Sequence, residues 1–382
     1  MTRQDGIGIY IHIPFCEKHC HFCTFFTRGY GEGRAAAFVG DLLSEIRLYS
    51  RAGILSGREV ETVYFGGGTP TTLSAGQLLE ILETLRRTFS LKADAETTIE
   101  AAPATASPTL LHALHSEGFS RISFGAQSFD EAELKTMGAS HTADVTGGAV
   151  RAAREAGFAN VSLDLIYGLP GQSFTRWQDN LRAAIDLAPD HLSFYGLTIE
   201  EGSRFHRDRE RGRLDFPEED TQADMYRRGR DLVAASGYVQ YEVSNFTRPG
   251  HACRHNLGYW TDHEWLGLGP SAHSYLDGER YNNVASLEDY HRFIADGIMP
   301  IAEREPANED LRLREAIAFG LRTASGVKLG LLEKRYGQTS LERFREPIIR
   351  LTCEGWLILE GDVLRPSREG IVFADELALA FL

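Results

Sequence analysis

The sequence predicts an α/β protein, an incomplete, laterally open (β/α)6-type barrel followed by a smaller C-terminal α+β domain of winged-helix-like order. Short β-rich apolar runs alternate with amphipathic helical stretches through the first half of the chain, the pattern of a parallel sheet with crossover helices. Only about six such units fit, short of the eight in a closed barrel; a doubly wound sheet is the alternative. Beyond about residue 307 the order of elements changes, with helices first, then a ribbon turning at Gly361-Asp362, then a last short helix.

In order, strands are expected over 7–13, 60–65, 97–100, 121–124, 161–167 and 191–195, where β-branched and aromatic residues cluster. Helices are expected between them over 34–49, 75–88, 108–116, 143–156 and 174–187. A charge run over 207–213 reads as a solvated helix end. A helix over 221–235 and a strand over 238–243 follow, then a Gly- and aromatic-rich stretch over 245–281. The expected division is a core over 1–245, a connecting segment over 246–306 and a C-terminal unit over 307–382, with three helices before its ribbon.

The 382 residues carry 40 Lys and Arg against 54 Asp and Glu, a net charge of −14, which argues against nucleic acid as a partner. With 42% hydrophobic and 25% charged residues the chain has the composition of a folded globular protein. The apolar stretch within 1–15 is too short to span a membrane and lacks a small-residue cleavage site, so no transmembrane segment and a cytoplasmic location are expected.

Three of the five cysteines form C-x3-C-x2-C: Cys16-Glu-Lys-His-Cys20-His-Phe-Cys23, directly after the first strand. Three thiolates without a fourth nearby suit a 4Fe-4S cluster with one open iron, which accepts a small chelating ligand; a Cys3His zinc site completed by His19 or His21 is the alternative. Tyr64-Phe65-Gly66-Gly67-Gly68-Thr69-Pro70 ends the second strand with glycines that let the backbone approach a ligand, at the sheet rim where such folds build their sites.

These features resemble the radical S-adenosylmethionine (SAM) superfamily. Tyr10-Ile-His12-Ile-Pro14-Phe15-Cys16, Phe124-Gly125-Ala126-Gln127-Ser128-Phe129, Asp164-Leu-Ile-Tyr167-Gly168-Leu-Pro170-Gly171 and Tyr241-Glu242-Val-Ser244-Asn245-Phe246 resemble its group containing oxygen-independent coproporphyrinogen III oxidase and the HemW heme chaperones. The resemblance runs from about residue 8 to the C-terminus. It implies that Cys16, Cys20 and Cys23 ligate the cluster and that SAM chelates the open iron. Tyr10, Phe22, Gly67, Gly68, Thr69, Glu100, Gln127 and Asp164 would bind SAM, with Phe22 against the adenine. The chain departs from the group at Ala102, where Asn is usual, and at Ala139, where an Arg would pair with the SAM carboxylate. Losing that contact costs about 1.5–3 kcal/mol of binding unless another cation substitutes.

The oxidase has a further cysteine two residues after the third and a long N-terminal extension; here Cys23 is followed by Thr24-Phe25, and nine residues precede Tyr10. Arg254-His255-Asn256-Leu-Gly-Tyr259-Trp260 resembles the His-Asn-x-x-Tyr-Trp segment of HemW-like proteins, associated with heme binding. His255, Asn256, Tyr259 and Trp260 are therefore heme-binding candidates. A neutral imidazole can ligate heme iron and the two aromatics offer flat area, while a buried hydrogen-bonded pair of His255 and Asn256 is the alternative. Cys253 and His273 are weaker ligand candidates, and Cys353 is expected to be a buried hydrophobe. The resemblance thus implies a heme chaperone carrying a 4Fe-4S cluster and SAM, serving a membrane-bound respiratory acceptor from the cytoplasm or the membrane periphery. It is compatible with a homodimer. A radical SAM enzyme of the same family is the second reading: a coproporphyrinogen III dehydrogenase, a two-SAM methyltransferase or a cyclopropanase.

Overall fold

The computed structural model describes residues 6–382. The alternation is present as β1 (Gly6–Ile13), α1 (Glu32–Arg51), β2 (Glu59–Gly67), α2 (Ala75–Thr88), β3 (Ser90–Ala101), α3 (Pro108–Ser116), β4 (Arg121–Gln127), α4 (Glu131–Met137), α5 (Ala143–Ala156), β5 (Asn160–Tyr167), α6 (Phe174–Asp186) and β6 (His191–Gly196). Helix starts are set by local chemistry: Ser74 forms a capping box with Gln77, and Ser107, Thr142 and Ser173 each accept a backbone N–H, worth about 1 kcal/mol apiece.

β1 to β6 pair in parallel and lie side by side in chain order. With right-handed crossovers, that order puts the connecting helices on one face. A doubly wound sheet would need the order to reverse about a switch point. The sheet is therefore singly wound, and since β1 and β6 do not pair, it stays open.

The pleat sends alternate side chains to opposite faces. On one face Ile7, Ile9, Ile11, Ile13, Phe65, Ile99, Ile122, Phe124, Leu163, Leu165, Leu192 and Phe194 are buried in the main apolar core with the helices. The other face is polar. Parallel register sets Glu100 beside Ser123, Ser123 beside Ser162 and Ser162 beside His191, with Asp164 beside Ser193 in the next row.

After β6 come α7 (Arg204–Glu210), α8 (Glu219–Ala235), β7 (Val239–Gln240) and β8 (Asn245–Thr247), the last two antiparallel additions to the sheet. The strand expected over 238–243 is cut short because its backbone turns to the C-terminal unit. Val243 N–H donates to the Arg322 carbonyl at 2.9 Å and Ala324 N–H to that of Tyr241 at 3.0 Å.

The stretch 246–306, expected to be a connecting segment, extends the sheet beyond β1. It holds α9 (Arg254–Trp260), β9 (Trp265–Leu268) parallel to β1, then β10 (His273–Leu276), β11 (Glu279–Asn283), α10 (Leu287–Ala295) and β12 (Ile301–Glu305). Among the described residues the sheet thus has twelve strands.

The C-terminal part comprises α11 (Glu309–Gly320), β13 (Val327–Lys328), α12 (Leu329–Tyr336), α13 (Gln338–Glu342), α14 (Arg345–Cys353), β14 (Leu357–Glu360), β15 (Val363–Pro366) and α15 (Ala374–Leu379), around a separate apolar cluster that includes Leu313, Ile317, Leu364 and Phe381. Four helices, not three, precede the ribbon, because Gly337 at φ 88° interrupts the run. Cys353 is exposed, correcting the expectation that it is buried. Ile348 and Leu351 define the inward stripe of α14, and a residue two beyond Leu351 points away from it. No helix of the described residues is long and apolar enough to cross a membrane.

Glu45 of α1 fastens the β1 side of the sheet. Its buried carboxylate accepts from Gly269 N–H at 2.7 Å, Asn283 Nδ2 at 2.7 Å and Tyr290 Oη at 2.6 Å. Burial pushes its pKa up to about 7 against these bonds. Glu45→Ala strands three buried donors and should cost on the order of 3 kcal/mol or more, read as a lower denaturation midpoint. Because the folded pKa lies above the unfolded one, the folded state holds the extra proton between about pH 4.5 and 7, and stability falls as pH rises through that window. Glu45→Gln should flatten this part of the profile of midpoint against pH.

Candidate functional site

Beyond β1, residues Phe15–Cys16 pair with Arg28–Gly29 in a short parallel ladder that closes the cysteine loop. Cys16, Cys20 and Cys23 are free, partly buried thiols. Burial pushes all three pKa values up, Cys20 to about 12 with its neighbouring thiols adding. Thr69 Oγ1 donates to Cys16 Sγ at 3.6 Å. Three partly desolvated thiols, with the Lys18 ammonium only partly offsetting the burial of Cys20, are chemically suited to metal, which stabilises the thiolate.

Both neighbouring histidines have their ring nitrogens hydrogen-bonded away from the thiols. His19 uses Nδ1 on Thr27 Oγ1 and Nε2 on the Cys23 carbonyl, both at 3.1 Å. His21 uses Nδ1 on the Thr136 carbonyl at 2.7 Å and Nε2 on Arg204 at 2.9 Å. Among the described residues no three His, Cys, Asp or Glu side chains are grouped to hold a single metal ion.

The glycine run fits tightly against this loop. A Cβ on Gly68 would lie 2.7 Å from the Phe15 carbonyl oxygen and 3.1 Å from Cys16 Sγ, and one on Gly67, at φ +108°, would lie 2.7 Å from the His12 ring. Only glycine lets the strap come this close. Its N–H groups are bound in place: Gly68 to the Ile13 carbonyl at 2.8 Å, Thr69 to that of Phe15 at 2.7 Å, and Gly67 to Glu100 Oε2 at 3.3 Å.

Glu100, near the end of β3, also accepts from Tyr64 Oη at 2.8 Å. Burial pushes its pKa up to about 7; the Tyr64 bond opposes this, and nearby Asp164 adds to it. Asp164 is raised by burial against bonds from Ser193 and Ser123, the latter 3.0 Å away. Gln127 stands at φ 63°, a left-handed conformation rare for a residue with a Cβ. The next residues hold it there: Ser128 Oγ lies 2.7 Å from buried Glu133 Oε2, and Phe129 N–H donates to Asn180 Oδ1 at 2.7 Å.

The rim thus brings together the cysteine loop, Gly67, Gly68, Thr69 and Glu100, and continues through Gln127 on β4 and Asp164 on β5. Phe22 packs in an apolar cluster with Leu134, Met137, Ile166, Leu169, Phe205 and Ala139. Ala139 offers no charge, but Lys18 Nζ reaches its carbonyl at 3.1 Å, so an ammonium stands near where the resemblance led us to expect a guanidinium.

His255 is on α9, buried against the polar face. Nδ1 pairs with Thr62 Oγ1 at 2.7 Å and Nε2 with Tyr259 Oη at 2.9 Å. Its ring stacks on Tyr64 with centroids 5.1 Å apart and on Tyr10 at 6.5 Å. Burial pushes its pKa down to about 3. Both ring nitrogens therefore have partners, but these are Thr62 and Tyr259 rather than the Asn256 of the hydrogen-bonded pair expected as the alternative, and Asn256 itself is half-buried. Trp260 is half-buried between Phe319 and Arg322, whose guanidinium lies 5.2 Å from the indole centroid. Cys253 is buried, with Sγ 3.5 Å from Glu96 Oε1, and His273 is exposed.

The radical SAM superfamily model matches residues 10–184, and that of the HemN C-terminal domain matches residues 308–373. The chain is 32% identical to the heme chaperone HemW of Bacillus subtilis, over 98% of both chains. The chain belongs to the radical SAM superfamily, in its HemW branch. It is also 34% identical to HemW of Mycobacterium tuberculosis, over 98% of this chain and 94% of that one. The structure of Escherichia coli coproporphyrinogen III oxidase, HemN, superposes with a TM-score of 0.86 at 24% identity, covering 99% of this chain and 90% of the other. That agreement establishes the radical SAM fold: an α/β sheet not closed into a barrel, with a C-terminal domain.

Sequence reasoning did not single out Thr62 and Tyr64 as site residues, nor His12 or Ser123. The signal was present: Tyr10/His12, Thr62/Tyr64, Thr98/Glu100 and Ser123/Gly125 fall at alternate positions of their strands, which marks one polar face. If the tight strap serves the cysteine loop, Gly68→Ala should lower iron and sulfide retained after anaerobic reconstitution. Gly76→Ala, whose Cβ would meet only Ser74 Oγ at 4.0 Å, should not. His19→Ala and His21→Ala should retain iron, whereas loss of any one of the three thiols should abolish the cluster spectrum.

Proposed function

We propose that this protein is a heme chaperone of the HemW type, binding heme and a SAM-ligated 4Fe-4S cluster and passing heme to a respiratory acceptor. The observation that carries the reading is the full-length match to proteins named heme chaperones, joined to the His255-Asn256 and Tyr259-Trp260 motif. In this reading Cys16, Cys20 and Cys23 hold the cluster. The donor set suits it: three thiols, neighbouring histidines hydrogen-bonded elsewhere, and a backbone strap that only glycine permits. When bound, such a cluster supplies a one-electron donor with an open iron for a chelating ligand.

The residues of the chain hold SAM around that iron. Gly67, Gly68 and Thr69 line the strap, Tyr10, Glu100, Gln127 and Asp164 provide the polar shell, and Phe22 with its apolar neighbours shields the adenine side. Lys18 is the cation close to the position of Ala139. Heme is cargo, taken by the α9 region: Tyr259 and Trp260 offer flat area, and Asn256 lies on the same helix. His255 is the axial candidate, which requires α9 to release either its Thr62 or its Tyr259 bond. The parts 1–245, 246–306 and 307–382 serve cluster and SAM binding, heme binding and packing respectively. The site of action is cytoplasmic, peripheral to the membrane through the acceptor.

Anaerobic reconstitution should give about four irons per chain and a spectral change on adding SAM. A hemin titration beside a coproporphyrinogen assay separates the two family readings: the chaperone binds hemin without converting the porphyrinogen. His255→Ala should weaken hemin binding about tenfold or more, a difference of about 1.4 kcal/mol. Conversion of coproporphyrinogen without hemin binding would replace this reading with the enzymatic one.

A further inference from the structure

The two sites of the proposed function are joined by one aromatic side chain. Tyr64 donates its hydroxyl to Glu100 Oε1 at 2.8 Å, while its ring stacks on His255 at 5.1 Å with the planes 24° apart. Glu100 in turn accepts from Gly67 N–H, and the same strap reaches Cys16 through Thr69 Oγ1. A contiguous chain of contacts therefore runs from the His255 ring to the cysteine loop. A second strand of contacts runs beside it. Tyr10 stacks on both Tyr64 and His255, its hydroxyl is 3.2 Å from His12 Nδ1, and His12 Nε2 is 3.0 Å from the carbonyl of Phe26, three residues past Cys23.

We propose that Tyr64 couples the two sites, so that engagement of Glu100 by SAM loosens His255 and raises the affinity for heme. The inference rests on the function proposed above. Both Glu100 oxygens already have a partner, Tyr64 on one and Gly67 on the other. A ligand hydroxyl or amine that binds this carboxylate therefore competes with Tyr64 or draws the carboxylate away from it. The phenol is half-buried, and a hydroxyl left unpaired out of full contact with water is costly, so the side chain shifts to find another partner. Its ring is one wall of the His255 site. Thr62, two residues before Tyr64 on β2, supplies the hydroxyl bonded to His255 Nδ1, so a shift here disturbs one of the two bonds that occupy the imidazole. By thermodynamic reciprocity, heme then raises the affinity for SAM by the same factor.

The test is a hemin titration of the reconstituted protein with and without saturating SAM. In the wild type SAM should tighten hemin binding about tenfold, within the usual range of coupling between sites. Tyr64→Phe keeps the ring and removes only the hydroxyl. It should bring the ratio of the two dissociation constants close to one, with hemin binding even without SAM about as tightly as wild type with it. A purely structural role would change both constants and preserve their ratio. An unchanged hemin constant in wild type on adding SAM, or a full ratio in Tyr64→Phe, overturns the coupling while leaving the chaperone reading intact. Absence of hemin binding under all conditions removes the chaperone reading. The link is then read without hemin from the 15N signals of the His255 ring, which should move on adding SAM in wild type and stay in Tyr64→Phe. If they stay in both, the coupling is overturned as well.

Discussion

The pleat of the parallel sheet determines where chemistry is available in this molecule. Parallel strands covered on both faces are usually apolar throughout, and here one face is, with Ile7, Ile9, Ile11 and Ile13 alone filling the inner side of β1. The opposite face keeps Tyr10 beside Tyr64 and Glu100 beside Ser123, with Asp164 beside Gly125 in the next row. Buried polar groups are costly unless paired, so nearly every one is tied to a neighbour. The rim inherits that constraint, since a ligand there meets side chains whose bonds already extend into the sheet.

Glycine has a part in the same arrangement. Gly66, Gly67 and Gly68 leave no side chain between the cysteine loop and the polar row, so His12, Glu100 and Cys16 all come within contact of one strap. Substitutions in that strap would move metal-facing and ligand-facing groups together. The left-handed Gln127 is held differently, by the buried cluster of Ser128, Glu133, Gln172 and Asn180.

Much of this was legible in the sequence. The expected helices over 75–88, 108–116 and 143–156 coincide with α2, α3 and α5, because strong caps and a clean amphipathic period mark their ends. The cysteine loop and glycine run were legible as motifs because their chemistry is local. The segment 245–281 was not, since short strands with little alternation are recognisable only once β1 offers them an edge. Neither was the environment of His255: nothing near it in sequence announces that Thr62, 193 positions away, holds its ring. Cys353 was misjudged because a thiol on a helix was read by residue type rather than by its angle from Ile348 and Leu351.

The open sheet leaves two free borders, and each is guarded in its own way. At β12 the outward run of Glu303, Arg304 and Glu305 is exposed, and charge along a border strand discourages stray pairing. At the other border the backbone of Tyr241 and Val243 is already stitched to residues 322 and 324. The part of the chain from α11 onward, about a fifth of its length, therefore doubles as a selvedge: a fragment ending before α11 would bare that border and tend to self-associate through it.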